Sequence, residues 1–238
     1  VAAAVDKELG GILTHHLTSH PKFKADAGQT LLMTLPAKAA YLRVVLLGLG
    51  DIKKGQEFSL ETAGGKCADV LTANGSSKAA ILNGDDVVAA VLPALVLGMR
   101  LAAYRFDGYK TVKKEKDADI RLASLQIITT EKEAAKAVGV AEDKADSMAL
   151  VRDFVNEPPN KLYPSSFADR IKKTLTPLGV KVTILDEKML KAQGFGCLIA
   201  VGQASEFPPR LVVMEWAGAK SKTAKKAAKP IAFVGKGI

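Results

Sequence analysis

The chain has 238 residues, 48% apolar and 25% charged, and lysine and arginine exceed the acids by nine, for a pI near 9.4. That apolar share supplies a substantial core and excludes extended disorder, while the length allows one large domain or two smaller ones. The positive balance favours anionic partners such as nucleic acid or phosphates. Cys67 and Cys197 stand far apart without CxxC spacing, which argues against a disulfide framework or a thiolate zinc site and points to a reducing cytosol.

Taken in chain order, Val5, Leu9, Ile12, Leu13 and Leu17 recur at helical spacing, so an amphipathic helix is expected over 2–18, interrupted by Gly10 and Gly11. QTLLMTL and YLRVVLLGL read as strands, the second apolar on both faces, as a sheet covered by helices on each side requires. A helix follows from Ser59 to Ala73, then the strand KAAILN, then a long apolar helix to Tyr104 that Asp85 and Asp86 can cap. Its apolar stretch, residues 87–99, is too short to span a bilayer, is broken by Pro93 and is followed by Arg100, so a buried helix and no membrane association are expected. IRLASLQIITT is the next strand. Strand and helix in alternation predict a sheet sandwiched between helices.

From Glu131 to Asn156 a long helix is expected, weakened near Gly139 and stopped by the prolines of NEPPNKLYP. The pattern then restarts. Ser165 is expected to cap a helix to about Leu178, VKVTILD to form a strand and EKMLKAQG a short helix closed by glycine. CLIAVG, PRLVVMEW and PIAFVG read as further strands. In the last of these, residues 231–235 form a buried strand that delivers Lys236 to its carboxyl end, where ligands bind in open α/β sheets. Five lysines in AKSKTAKKAAK, residues 219–229, suit a solvated hairpin tip.

Candidate chemistry is sparse. In THHLTSH, His16 and His20 lie one helical turn apart, but the zincin pattern His-Glu-x-x-His needs a glutamate where Leu17 stands, so surface histidines at a helix end are expected. LLGLGD places Gly48 and Gly50 after a strand, yet Lys53 occupies the third glycine position of GxGxxG, and a tight turn is the expected role. YRFDGYKT, residues 104–111, alternates aromatic and charged residues; packing and loop anchoring are expected over base stacking. GQASEFPPRL carries Pro208 and Pro209 into a strand, with Arg210 placed to pair with a carboxylate. No Ser, His and Asp arrangement is supported, because all three histidines sit together.

VRDFVNEPPNKLYP (151–164), GFGCLIAVGQASEFPPRL (194–211) and PIAFVGKGI (230–238), with YRFDGYKT before them, together resemble the leucyl aminopeptidase (cytosol aminopeptidase) family of two-metal exopeptidases. The resemblance implies an α/β fold: a three-layer macro-domain-like domain over 1–130, a connecting helix over 131–157, and over 158–238 the start of an α/β zinc-exopeptidase-like catalytic domain. It implies a cytoplasmic metallo-aminopeptidase that releases amino-terminal residues from peptides, uses two divalent ions (zinc or manganese, or magnesium) and assembles as a homo-hexamer. Lys236 is the one metal ligand the resemblance carries onto this chain. A neutral lysine amine can offer its lone pair to a metal, and Gly235 and Gly237 would let the backbone approach closely. In the family the VGKG motif is followed by a Thr-Phe-Asp-Ser-Gly-Gly segment and further acidic ligands, which are absent from these 238 residues, so the chain alone is expected to be inactive. Val1 is not an initiator methionine and no basic n-region and apolar h-region open the given sequence, so its beginning as well as its end is expected to be missing. The alternative is a noncatalytic role in which the basic first domain binds DNA or regulates assembly.

Overall fold

A computed structural model of the chain describes residues 2–35, 43–51, 57–82, 91–111, 120–128, 132–218 and 229–237. The chain divides into two compact units, 1–155 and 156–238, and each mixes helices with strands.

The first unit opens with two helices rather than one, α1 (Ala2–Glu8) and α2 (Ile12–Ser19). Gly10 and Gly11 between them have φ of 68° and 81°, the left-handed region that glycine enters without strain. Gly11 offers no side chain to cap α2. Asp6 does so from the preceding helix: its Oδ1 accepts the Leu13 N–H at 2.8 Å and the Thr14 N–H at 3.3 Å, while Oδ2 accepts the Thr14 hydroxyl.

Strands β1 (Thr30–Thr34) and β2 (Arg43–Leu47) pair antiparallel with Leu32 opposite Val45. Helix α3 (Glu57–Ala73) and strand β3 (Lys78–Leu82) follow, then α4 (Val91–Ala103), β4 (Ser124–Ile128) and α5 (Lys132–Asn156). Strands β3 and β4 are parallel, with Ile81 opposite Ile127. Asp85 and Asp86, the expected caps of α4, lie outside the described residues.

Helix α4 organises this unit because it is apolar on nearly every side, Arg100 being its one charged residue, and such a helix is stable only when its apolar surface is covered. Val91, Ala94 and Leu95 pack on Leu60 and Ala63 of α3, and Leu92 and Val96 pack on Ala134 and Val138 of α5 with Ile81, Leu125 and Ile127 beneath. A Cβ on Gly98 would collide with the Glu61 carbonyl, and one on Gly64 with the Leu95 carbonyl, so two glycines allow the backbones of α3 and α4 to touch. Polar contacts fix the other flank. Arg100 pairs with Asp146 at 2.6 Å, the Tyr104 hydroxyl donates to Asp153 at 2.8 Å, and Arg152 donates to the Leu101 carbonyl at 2.9 Å with its guanidinium over the Tyr104 ring. Arg152 thereby caps the carboxyl end of α4. On β3 and β4 one face packs on the helices, through Ala79, Ile81, Leu125 and Ile127, while Leu82 and Ile128 on the other are exposed.

The second unit contains α6 (Pro164–Leu175), a 3-10 turn over Thr176–Leu178, β5 (Lys181–Leu185), α7 (Glu187–Ala192), α8 (Gly196–Gly202) and β6 (Leu211–Glu215). Strands β5 and β6 pair antiparallel, with Ile184 opposite Val212 and a Lys181–Glu215 ion pair at 2.7 Å. The start of α6 differs from the expectation. Tyr163, not Ser165, is the cap residue, with Pro164 in the first turn, where a missing N–H costs nothing; the Tyr163 N–H donates to Ser166 Oγ at 3.0 Å.

Two expected strands of this unit are not strands. CLIAVG lies in helix α8, because a six-residue apolar run has no period that separates strand from helix, and with no strand beside it among the described residues its backbone groups are satisfied along the helix. PIAFVG is neither paired nor buried: Ile231, Phe233 and Val234 are 83%, 95% and 98% exposed. A strand apolar on both faces needs ladder partners and covering helices, and the described residues supply neither to this segment. The lysine-rich stretch 219–228 lies outside the described residues. No described helix is long and apolar enough to cross a membrane.

Candidate functional site

In the second unit the motifs singled out in the sequence converge on α6. In NEPPNKLYP the Pro158 carbonyl accepts the Lys161 and Leu162 N–H groups at 2.9 and 3.0 Å, making a tight turn into the helix. Glu157, largely buried, pairs with Arg170 of α6 at 2.8 Å. The Tyr163 ring stacks on Phe207 of GQASEFPPRL, centroids 4.1 Å apart and planes at 19°. Gly202 at the end of α8 lies so close to Pro209 that a Cβ would come within 2.8 Å of the proline ring. Gly237 passes Phe167 of α6, where a Cβ would stand 3.7 Å from the ring. Sequence reasoning did not join Tyr163 to Phe207; the signal for it was that each aromatic directly precedes a proline, which holds it in extended backbone. Arg210 does not meet a carboxylate among these contacts. Its guanidinium donates to the Pro208 and Pro209 carbonyls at 3.2 and 3.0 Å and so stiffens its own turn.

Lys236 stands between Gly235 and Gly237 on the 229–237 segment, which is neither helix nor strand, exposed and without a hydrogen bond or ion pair to a described residue. Among the described residues no group of three His, Cys, Asp or Glu side chains converges as a metal would require. Among the described residues, Lys236 is thus an exposed amine with no closed set of metal donors around it.

The other candidates resolve into structural roles. The Gly48 N–H donates to the Gln29 carbonyl at 2.8 Å and the Gly50 N–H to the Ala25 carbonyl at 2.9 Å, so the backbone donors a phosphate would need are occupied. A Cβ on Gly48 would strike the Ala25–Asp26 backbone, which explains the glycine. In YRFDGYKT, Asp107 pairs with Lys110 at 2.8 Å and with Arg121, anchoring the loop. Cys67 is buried between α3 and α4, and burial pushes its thiol up to about 11, which makes it a packing residue rather than a nucleophile. Cys197 is exposed. His16 and His20 face each other, ring centroids 5.5 Å apart and planes at 17°, and His20 Nδ1 lies 2.8 Å from the His16 carbonyl.

Residues 1–113 match the model of the cytosol aminopeptidase family N-terminal domain, and residues 149–238 match that of its catalytic domain. A probable cytosol aminopeptidase of a Bradyrhizobium species is 36% identical over all of this chain and 47% of its own length. One from Methylorubrum extorquens is 37% identical over 96% of this chain and 45% of its own. The chain thus spans under half the length of these curated relatives. Among solved structures, the bottromycin maturation enzyme BotP in complex with Mn is similar at a TM-score of 0.67 and 25% identity, covering 83% of this chain and 41% of that one. A tomato leucine aminopeptidase variant reaches 0.69 at 24% identity, over 88% and 42%, and bears on the fold alone. With both domain models matched in order and identity sustained from end to end, the chain belongs to the cytosol aminopeptidase family.

Proposed function

We propose that this chain is the amino-terminal domain and the first part of the catalytic domain of a cytoplasmic, metal-dependent aminopeptidase that releases amino-terminal residues from peptides. The observation that carries the reading is the succession of the two family domains along one chain, 1–113 and then 149–238. On this reading the chain divides into an amino-terminal domain over 1–130, a connecting helix over 131–157 and the beginning of the catalytic domain over 158–238. Lys236 supplies one amine ligand to a centre of two divalent ions, zinc or manganese or magnesium, whose other donors are not among the described residues. The exposure of Lys236 supports this role, since a ligand must be reachable by the ion and its remaining donors. The working assembly is a homo-hexamer.

The test is hydrolysis of a leucine anilide by the full-length protein, with and without added Mn2+. Metal-dependent release of the amine is expected; salt-sensitive retention of DNA without hydrolysis would replace this reading with the binding one. Lys236→Ala in the full-length protein is expected to weaken metal affinity by at least about tenfold, because even outer-sphere partners of a metal site contribute that much. Elemental analysis after dialysis reads it directly, and unchanged occupancy would remove Lys236 from the metal centre.

A further inference from the structure

We propose that Phe167 is a positioning residue for Lys236, its ring fixing the turn that carries the amine. The inference rests on the reading of Lys236 as a metal ligand given above and goes one residue beyond it. Lys236 lies between Gly235 and Gly237, which bring no side chains of their own to restrict the backbone there. Before the amine the segment is open: a Cβ on Gly235 would meet no described residue within 4 Å, and Phe233 and Val234 are almost fully exposed. After it the chain meets α6. A Cβ on Gly237 would stand in ordinary van der Waals contact with Phe167 Cε1, at 3.7 Å, so the backbone one residue past the amine lies within a methyl group of the ring edge.

The ring itself is firmly held. The Phe167 N–H donates to the Tyr163 carbonyl at 2.9 Å in the first turn of α6. Pro164 sets the backbone of that turn, and Ser166 Oγ donates to the Lys161 carbonyl at 2.8 Å while accepting the Tyr163 N–H. The Tyr163 ring is stacked on Phe207, and Ala168, next along the helix, is buried. A long flexible amine loses less freedom on binding when its backbone is already placed. A ligand also keeps its strength only where supporting residues hold it to within about half an ångström. Phe167 gives that support to one end of a segment that is open at the other, and it acts through Lys236.

The test is the metal content of the full-length protein after equilibrium dialysis against Mn2+, read beside urea unfolding. Phe167→Ala is expected to weaken Mn2+ affinity by about tenfold, as loss of an outer-sphere partner does, and Phe167→Tyr, which keeps the ring, to retain it. Ala168→Gly loosens the same turn of α6 without removing the ring, and is expected to lower stability while leaving the affinity of the folded protein unchanged. In a Lys236→Ala background, Phe167→Ala is expected to add no further loss, because the two residues act as one unit. Should Phe167→Ala not fold, Phe167→Leu takes its place, with a smaller loss in the same direction expected. Unchanged affinity in the folded Phe167 variant while Lys236→Ala still loses it overturns the positioning role and leaves the metal reading standing, and so does an equal loss in Ala168→Gly. Unchanged affinity in Lys236→Ala overturns the reading on which the role rests.

Discussion

The two units of this chain bury their apolar residues to very different extents. In the first, α4 is enclosed by α3, α5 and strands, and Met33, Leu92, Val96 and Met99 are almost wholly inaccessible. In the second, the buried apolar side chains among the described residues are Ala168, Leu185 and Leu190, while Val201, Met214, Trp216, Phe233 and Val234 are exposed. A helix such as α4 closes its own backbone hydrogen bonds and needs only packing, whereas an apolar segment such as 231–234 needs ladder partners before it can form a strand and have its side chains covered.

The comparison predicts unequal responses to substitution. Leu92→Ala in the first unit is expected to lower unfolding free energy by about 2–5 kcal/mol in urea titration, from lost burial plus the cavity left between α4 and α5. Gly98→Ala should cost about 1–3 kcal/mol, because the new methyl group must force α3 and α4 apart. A loss as large from Phe233→Ser would break the comparison; that exposed position is expected to stay within about 0.5 kcal/mol in this chain. Between these stands a pH effect. The Thr14 hydroxyl bond holds the Asp6 carboxyl below its ordinary value, with the Thr14 and Leu13 N–H groups adding to it. A carboxylate depressed in the folded state contributes stability that is complete above its unfolded value and is lost as pH falls through the lower folded one. Asp6→Asn should therefore flatten acid-side thermal melts near and below pH 4 and leave their neutral-to-basic shape unchanged.

By itself the sequence determined the alternation of helices and strands, the burial of α4, the stop of α5 at the prolines of NEPPNKLYP and the order of motifs that marks the family. Each of these rests on short-range chemistry: period, proline geometry and a helix apolar but for Arg100. Tertiary structure alone decided that residues 196–202 are helical, that Gly48 and Gly50 spend their N–H groups on the 25–29 segment, that Asp6 caps α2 across the glycine break, and that Tyr163 meets Phe207. Those outcomes depend on which partner a backbone group or ring finds at a distance. The exposure of 231–234 is the plainest instance, since its apolar residues were legible from sequence but its neighbours were not.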